Sequence, residues 1–180
     1  MKWFIASDVH GSAYYCEKMI KRFEESGAER MLLLGDLLYH GPRNDLPRGY
    51  DPKEVIRMLN GISDVIFAVR GNCEAEVDQM VLDFPVMADY CIINEKKRLI
   101  FATHGHLYDK NSPPKLKKGD ILLHGHTHVP ACDVCGDFLY INPGSVSVPK
   151  QLSEHSYMTL DSGVFTWYCI DGEEYMEHVI

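Results

Sequence analysis

The stretch Asp120-Ile121-Leu122-Leu123-His124-Gly125-His126-Thr127-His128 runs from an apolar segment straight into three histidines within five residues. Alternating imidazoles at such a junction could be metal ligands, catalytic acids and bases, or packing side chains. The same junction recurs upstream, and the recurrence decides the fold. Trp3–Ser7 is a short apolar run that ends in Asp8-Val9-His10, and Met31–Leu34 ends in Gly35-Asp36. Val65–Val69 ends in Arg70-Gly71-Asn72-Cys73-Glu74, and Leu99–Ala102 in Thr103-His104-Gly105-His106. Continuous apolar runs of this length are what buried strands require. Five strand ends therefore deliver Asp, Asn or His, and ligands of open α/β sheets bind at the carboxyl ends of strands.

Between the first runs the pattern turns helical. Ser12 is placed to N-cap a helix over Ala13–Glu25, with Tyr15, Met19 and Phe23 at spacing four and Gly27 to close it. Pro52 suits the first turn of a second helix reaching Asn60, after a Pro- and Gly-rich loop over Tyr39–Tyr50. The first part thus reads as a βαβ arrangement around a mostly parallel sheet. From Pro85 onward hairpins take over: Cys91–Asn94 with Leu99–Thr103, then Ala131–Val134, Phe138–Ile141, Ser156–Leu160, Phe165–Ile170 and Tyr175–Val179. Their turns, such as Gly136-Asp137 and Asp171-Gly172, use residues that tolerate positive φ. No repeat, low-complexity tract or linker interrupts residues 1–180, so one domain is expected.

At 180 residues the chain can bury a substantial core. No apolar run approaches the roughly 20 residues of a membrane helix. The N-terminus is apolar for only a few positions before Asp8, too few for a secretion signal, so the cytoplasm is expected. A formal charge of −8 argues against capture of long nucleic acid. The six cysteines are expected to be reduced thiols, and the lone Cys132-Asp-Val-Cys135 lacks the second pair of a structural zinc site.

Each polar junction taken singly is weak, because Asp-x-His and Gly-Asp are common by chance. Together, seven nitrogen and oxygen donors at five strand ends, with no thiolate required, describe a site for two borderline-hard divalent ions. In order and spacing, Asp8-x-His10, Gly35-Asp36, Gly71-Asn72-x-Glu74, Thr103-His104-Gly105-His106 and Gly125-His126-Thr127-His128 resemble the motif set of the calcineurin-like metallophosphoesterases. The resemblance spans nearly the whole chain. His40-Gly-Pro-Arg-Asn44, Arg70-Gly-Asn-Cys73 and the segment from Asn142 to Lys150 narrow it to bacterial phosphodiesterases.

The resemblance implies an α+β fold, an αββα sandwich of two mixed sheets flanked by helices. It implies that Asp8, His10, Asp36 and His128 hold one metal and that Asp36, Asn72, His104 and His126 hold the other, with Asp36 bridging. Mn²⁺ is the first expectation, with Fe, Ni²⁺ or Zn²⁺ as alternatives. The implied reaction is hydrolysis of a small phosphodiester by a metal-bridging hydroxide, with inversion at phosphorus and no covalent enzyme intermediate. Many members carry His where this chain has Cys73, so a general acid is in doubt. His106 is the candidate to replace it, or else a residue that orients a neighbour. Arg43, Asn44 and Cys73 are candidates to contact the substrate, whereas Lys115, Lys117 and Lys118 read as solvated. Glu74 reads as support for a helix N-terminus, and His124 as a strand residue outside the ligand set.

Two other functions compete. A protein-binding scaffold of the same fold, like the small retromer subunit, would not need the complete donor set. A phosphomonoesterase would use the same metals. A homo-oligomer is also open, with Tyr175 and Met176 near the C-terminus as apolar candidates for an interface.

Overall fold

The computed structural model describes residues 1–180. Three parallel strands form its first half: β1 (Trp3–Ala6), β2 (Arg30–Leu33) and β3 (Ile66–Ala68). Helices α1 (Ala13–Ser26), α2 (Pro52–Asn60) and the short α3 (Glu76–Gln79) connect or follow them. In α1 the Ser12 hydroxyl accepts the Tyr15 N–H at 3.2 Å, and Gly27 ends the helix at φ 67°. Its buried stripe is Cys16, Met19 and Phe23. Tyr15, expected in that stripe, lies at its edge, where its hydroxyl meets His155 Nε2 at 2.9 Å. A phenol on the stripe would bury an oxygen needing a partner, and the edge supplies one.

A second sheet follows, in the order β4-β5-β6-β8-β7, from β4 (Tyr90–Glu95), β5 (Arg98–Thr103), β6 (Ile121–His124), β7 (Ala131–Cys135) and β8 (Phe138–Asn142). Strands β5, β6 and β8 are parallel, with β4 and β7 antiparallel at the edges. The chain then returns to the first sheet through β9 (Ser156–Asp161), β10 (Val164–Cys169) and β11 (Glu174–Val179), completing the order β11-β10-β9-β1-β2-β3. Both sheets are thus mixed.

Strand alternation splits the core in two. Phe4, Ala6, Met31 and Leu33 face α1 and α2, whereas Ile5, Leu32, Ile100, Leu123, Ile141 and Trp167 fill the space between the sheets. Trp167 is fully buried and donates its indole N–H to the Asn142 carbonyl at 2.7 Å, tying the sheets together. All three helices precede β4, so none covers the outer face of the second sheet. Tyr108 and Lys110, in the loop between β5 and β6, lie over Phe101 and Tyr140 there. Met176 packs against the inter-sheet core, while Tyr175 is exposed on the edge strand β11. All six cysteines are free thiols. Cys132 and Cys135 stand an odd number of residues apart on β7, which sends them to opposite faces.

Candidate metal centre

The carboxyl ends of β1, β2, β3, β5 and β6 meet at one rim of the sandwich. Just past them, Asp8, His10, Asp36, His126 and His128 all adopt positive φ, between 49° and 63°. Such backbone is uncommon outside glycine and costs of order 1–3 kcal/mol per residue, so five instances at one rim mark a site that the rest of the fold sustains. The left-handed step turns each side chain back across the sheet ends. The close approach also needs glycine nearby. A Cβ on Gly71 would overlap Asp36 Oδ1, and one on Gly125 would overlap the Ser7 hydroxyl and stand 2.8 Å from Asp8 Oδ2.

Two donor groups result. In the first, His128 Nε2 lies 3.3 Å from Asp8 Oδ1, and His10 Nε2 lies 3.6 Å from Asp8 Oδ1 and 3.7 Å from Asp36 Oδ2. The two imidazoles face each other nitrogen to nitrogen at 3.3 Å. In the second, His104 Nε2 lies 3.5 Å from Asp36 Oδ1, 3.1 Å from Asn72 Oδ1 and 3.1 Å from His126 Nδ1. Asp36 thus turns one oxygen to each group. Asp8 Oδ1 is buried without a hydrogen-bond partner and points into the first group, an orphan that a cation would satisfy.

The far ring nitrogens are tied down. His10 Nδ1 meets the Tyr39 carbonyl at 2.8 Å, His104 Nδ1 the Leu34 carbonyl at 2.6 Å and His128 Nδ1 the Val148 carbonyl at 2.6 Å. A carbonyl accepts only, so each Nδ1 carries the proton and each Nε2 lone pair is left for the centre. Asp8 is held through its own backbone as well: the Ser145 and Ser147 hydroxyls both donate to its carbonyl, at 2.9 and 3.0 Å. Its Oδ2 accepts the His126 N–H at 3.0 Å, linking β1 to β6.

Glu74 corrects the sequence expectation. It does not support a helix N-terminus, for α3 begins two residues later with Asp78 accepting the Ala75 N–H. Its buried carboxylate instead accepts the N–H groups of Asp36 at 2.8 Å, Leu37 at 2.7 Å and Gly71 at 2.5 Å. It clamps the β2 and β3 ends to each other. Nothing local in the sequence distinguishes that use from a cap.

The electrostatics fit a centre that expects positive charge. Burial alone would raise the Asp8 carboxyl, but the nearby imidazoles of His10, His128 and His104 hold it well below the carboxylate range. Burial works against a charged His104, yet Asp36 and Asp8 raise it to about 9. A proton on His104 offsets the carboxylates, and His10 is shifted in the same direction by Asp8 and Asp36 against the effect of burial. His126 and His128 are shifted down, chiefly by burial. The donor set of carboxylates, one amide oxygen and imidazoles suits divalent first-row cations.

Above the donors lies a cavity of about 40 Å³ whose wall includes Arg43, Asn44, Cys73, His126, His128 and Lys150. The three expected substrate contacts are therefore gathered at the donors. Burial and the Asp36 carboxylate push the Cys73 thiol strongly up, so it is neutral. His106 does not line the cavity; its ring sits 5.5 Å from that of His104, and its Nδ1 is buried without a partner. His124 lies in β6, buried against Tyr140, with Nδ1 donating to the Gly125 carbonyl. Lys150 escaped the sequence reading. It ends the quoted segment from Asn142, but only the folded loop carries it to the rim.

Comparison with known proteins agrees with this geometry. Residues 1–163 match the calcineurin-like phosphoesterase superfamily domain. The chain is 42% identical to Phosphodiesterase YfcE of Escherichia coli K12 over 99% of its own length and 97% of the relative's. It superposes on the solved structure of YfcE, described as a phosphoesterase from E. coli, with a TM-score of 0.96 and full coverage of both chains. It also shares its fold, at 17% identity and a TM-score of 0.63, with Vacuolar Protein Sorting 29 from Cryptosporidium parvum, covering 99% and 98% of the two chains. The motifs at five strand ends, the paired donor groups they build and these likenesses place the chain in the calcineurin-like phosphoesterase superfamily.

Proposed function

We propose that this protein is a metal-dependent phosphodiesterase that hydrolyses small phosphodiesters. One observation carries the reading: eight donor positions from seven side chains fall into two groups that share Asp36. Asp8, His10, Asp36 and His128 would hold one divalent ion, and Asp36, Asn72, His104 and His126 the other. Two such ions supply Lewis acidity, a water of lowered pKa and a clamp on the phosphoryl oxygens. The chain's own residues do the rest. The carbonyls of Tyr39, Leu34 and Val148 hold three imidazoles in the ligating tautomer. Arg43 and Asn44 would hydrogen-bond the non-bridging oxygens of the phosphoryl group, and the neutral Cys73 thiol would pack beside it. Because His106 lies beside His104 rather than in the cavity wall, we assign it support of the His104 turn rather than proton donation.

The 42% identity to a protein named a phosphodiesterase supports the diester preference. Mn²⁺ is the metal we assign first; Fe, Ni²⁺ and Zn²⁺ suit the same donors. The six free thiols support a reducing, cytoplasmic setting. A protein-binding scaffold would have no use for five strained residues aimed at one point, which counts against that alternative. The test compares hydrolysis of bis-p-nitrophenyl phosphate with that of p-nitrophenyl phosphate, in Mn²⁺ and in chelator. The expected result is Mn²⁺-dependent turnover that favours the diester. Full activity in chelator contradicts the metal reading, and preference for the monoester contradicts the diester one.

A further inference from the structure

We propose that Lys150 contacts the substrate and stabilises the negative charge that gathers on the leaving oxygen. The proposal rests on the phosphodiesterase reading above and deepens it. Arg43 and Lys150 are the two Lys or Arg side chains in the cavity wall, and they come from different loops. Arg43 belongs to the loop after β2, beside Cys73 and Asn44; Lys150 belongs to the segment after β8, on the His128 side. A phosphoryl group in that cavity meets a wall that carries both cations.

The backbone around Lys150 is built to keep it there. Its N–H donates to the carbonyl of His128 at 3.2 Å, so it is tied to a proposed ligand turn. Its own carbonyl accepts from the Ser153 N–H at 3.1 Å and from the Ser153 hydroxyl at 2.7 Å. The next two residues, Gln151 and Leu152, are non-glycine residues at φ 56° and 61°. Leu152 is fully exposed, so this strained pair secures no apolar burial. Strain of this kind persists where the surroundings fix a geometry, and it clusters at functional sites.

The chemistry leaves a role for it. In hydrolysis the oxygen of water forms the new P–O bond while the P–O bond to the alcohol breaks, its electron pair passing to the leaving oxygen. One proton of the water ends on the alcohol and the other is released to solvent. A thiol carries no positive charge in any protonation state, so Cys73 offers that oxygen none. An ammonium on a flexible four-carbon stem reaches it with charge-assisted hydrogen bonds and keeps its own proton.

The test uses the full-length Mn²⁺-loaded protein, Lys150→Met and Lys150→Arg, with methyl aryl phosphodiesters whose leaving groups run from 4-nitrophenol to phenol. Bound manganese is measured on each sample. The proposal expects Lys150→Met to lose about tenfold in kcat on the nitrophenyl ester and about 100-fold on the phenyl ester, the latter at the lower end of the loss seen when a charge-stabilising donor is removed. Lys150→Arg should recover much of both losses, with manganese content unchanged. An equal loss across the series, no loss, or a loss that follows missing manganese would overturn it. Wild-type protein inactive on the whole series would instead overturn the phosphodiesterase reading, and this proposal with it.

Discussion

Asp36 is the residue on which both donor groups depend, and it does not hold its position alone. Its backbone sits at φ 55° with its N–H bonded to Glu74, and its Oδ1 also accepts the Cys73 N–H at 2.9 Å. Glu74→Gln keeps the shape of the clamp but turns one acceptor toward N–H groups as a donor. Calorimetric titration should then show metal affinity weakened by about 10- to 100-fold, the usual effect of losing support behind a ligand. Asn72→Ala should cost far more activity on bis-p-nitrophenyl phosphate than His124→Ala, because His124 lies outside both groups; equal losses would refute the ligand assignment. The proton on His104 gives a further test. With its pKa raised to about 9, His104 is charged at neutral pH in the metal-free chain, and a cation must displace that proton. Apparent affinity should therefore rise with pH through neutrality and level off above about 9. Titrations at several pH values check this, and affinity that falls with rising pH would contradict it.

Elements bring these residues together by how they end. Five residues of the candidate centre reverse direction in left-handed backbone, and glycines at 71 and 125 leave the room they need. Gly71→Ala should abolish metal binding, since its Cβ would overlap Asp36 Oδ1 and lie 2.6 Å from the Asp36 nitrogen. Gly27→Ala, at φ 67° with open space around it, should lower stability by about 1–2 kcal/mol in denaturant unfolding and leave metal affinity untouched. Local signals made most of these elements legible in the sequence. Ser12 and Gly27 bound α1, Pro52 opens α2, and the Gly136-Asp137 turn closes a hairpin with glycine at positive φ. The seven side chains that the fold gathers at the rim were visible in the sequence because each lies within a few residues of the end of an apolar run. Glu74 and Lys150 were not, because the first acts through backbone amides of a distant strand end and the second through a loop whose course no local pattern dictates. The loop cover over the outer face of the second sheet was also hidden, since helix-flanked sandwiches and loop-covered ones share the same strand pattern.

At the scale of the molecule, two mixed sheets back onto each other so that their parallel strands end at one rim. Trp167, buried between them and bonded to the chain that leads into the Ser145–Lys150 segment, connects that rim to the core. Cations that bind only the folded chain stabilise it by mass action, so Mn²⁺ at 100 times its dissociation constant should add about 2.7 kcal/mol per site. Thermal unfolding with increasing Mn²⁺ checks this, and an unchanged Tm would speak against a folded-state site. The central claim is that seven side chains hold two ions through one shared carboxylate, and anomalous diffraction from Mn²⁺-soaked crystals tests it most directly. Two peaks about 3.5–4 Å apart are predicted, one among Asp8, His10, Asp36 and His128, the other among Asp36, Asn72, His104 and His126. A single peak, or peaks away from Asp36, would contradict the account.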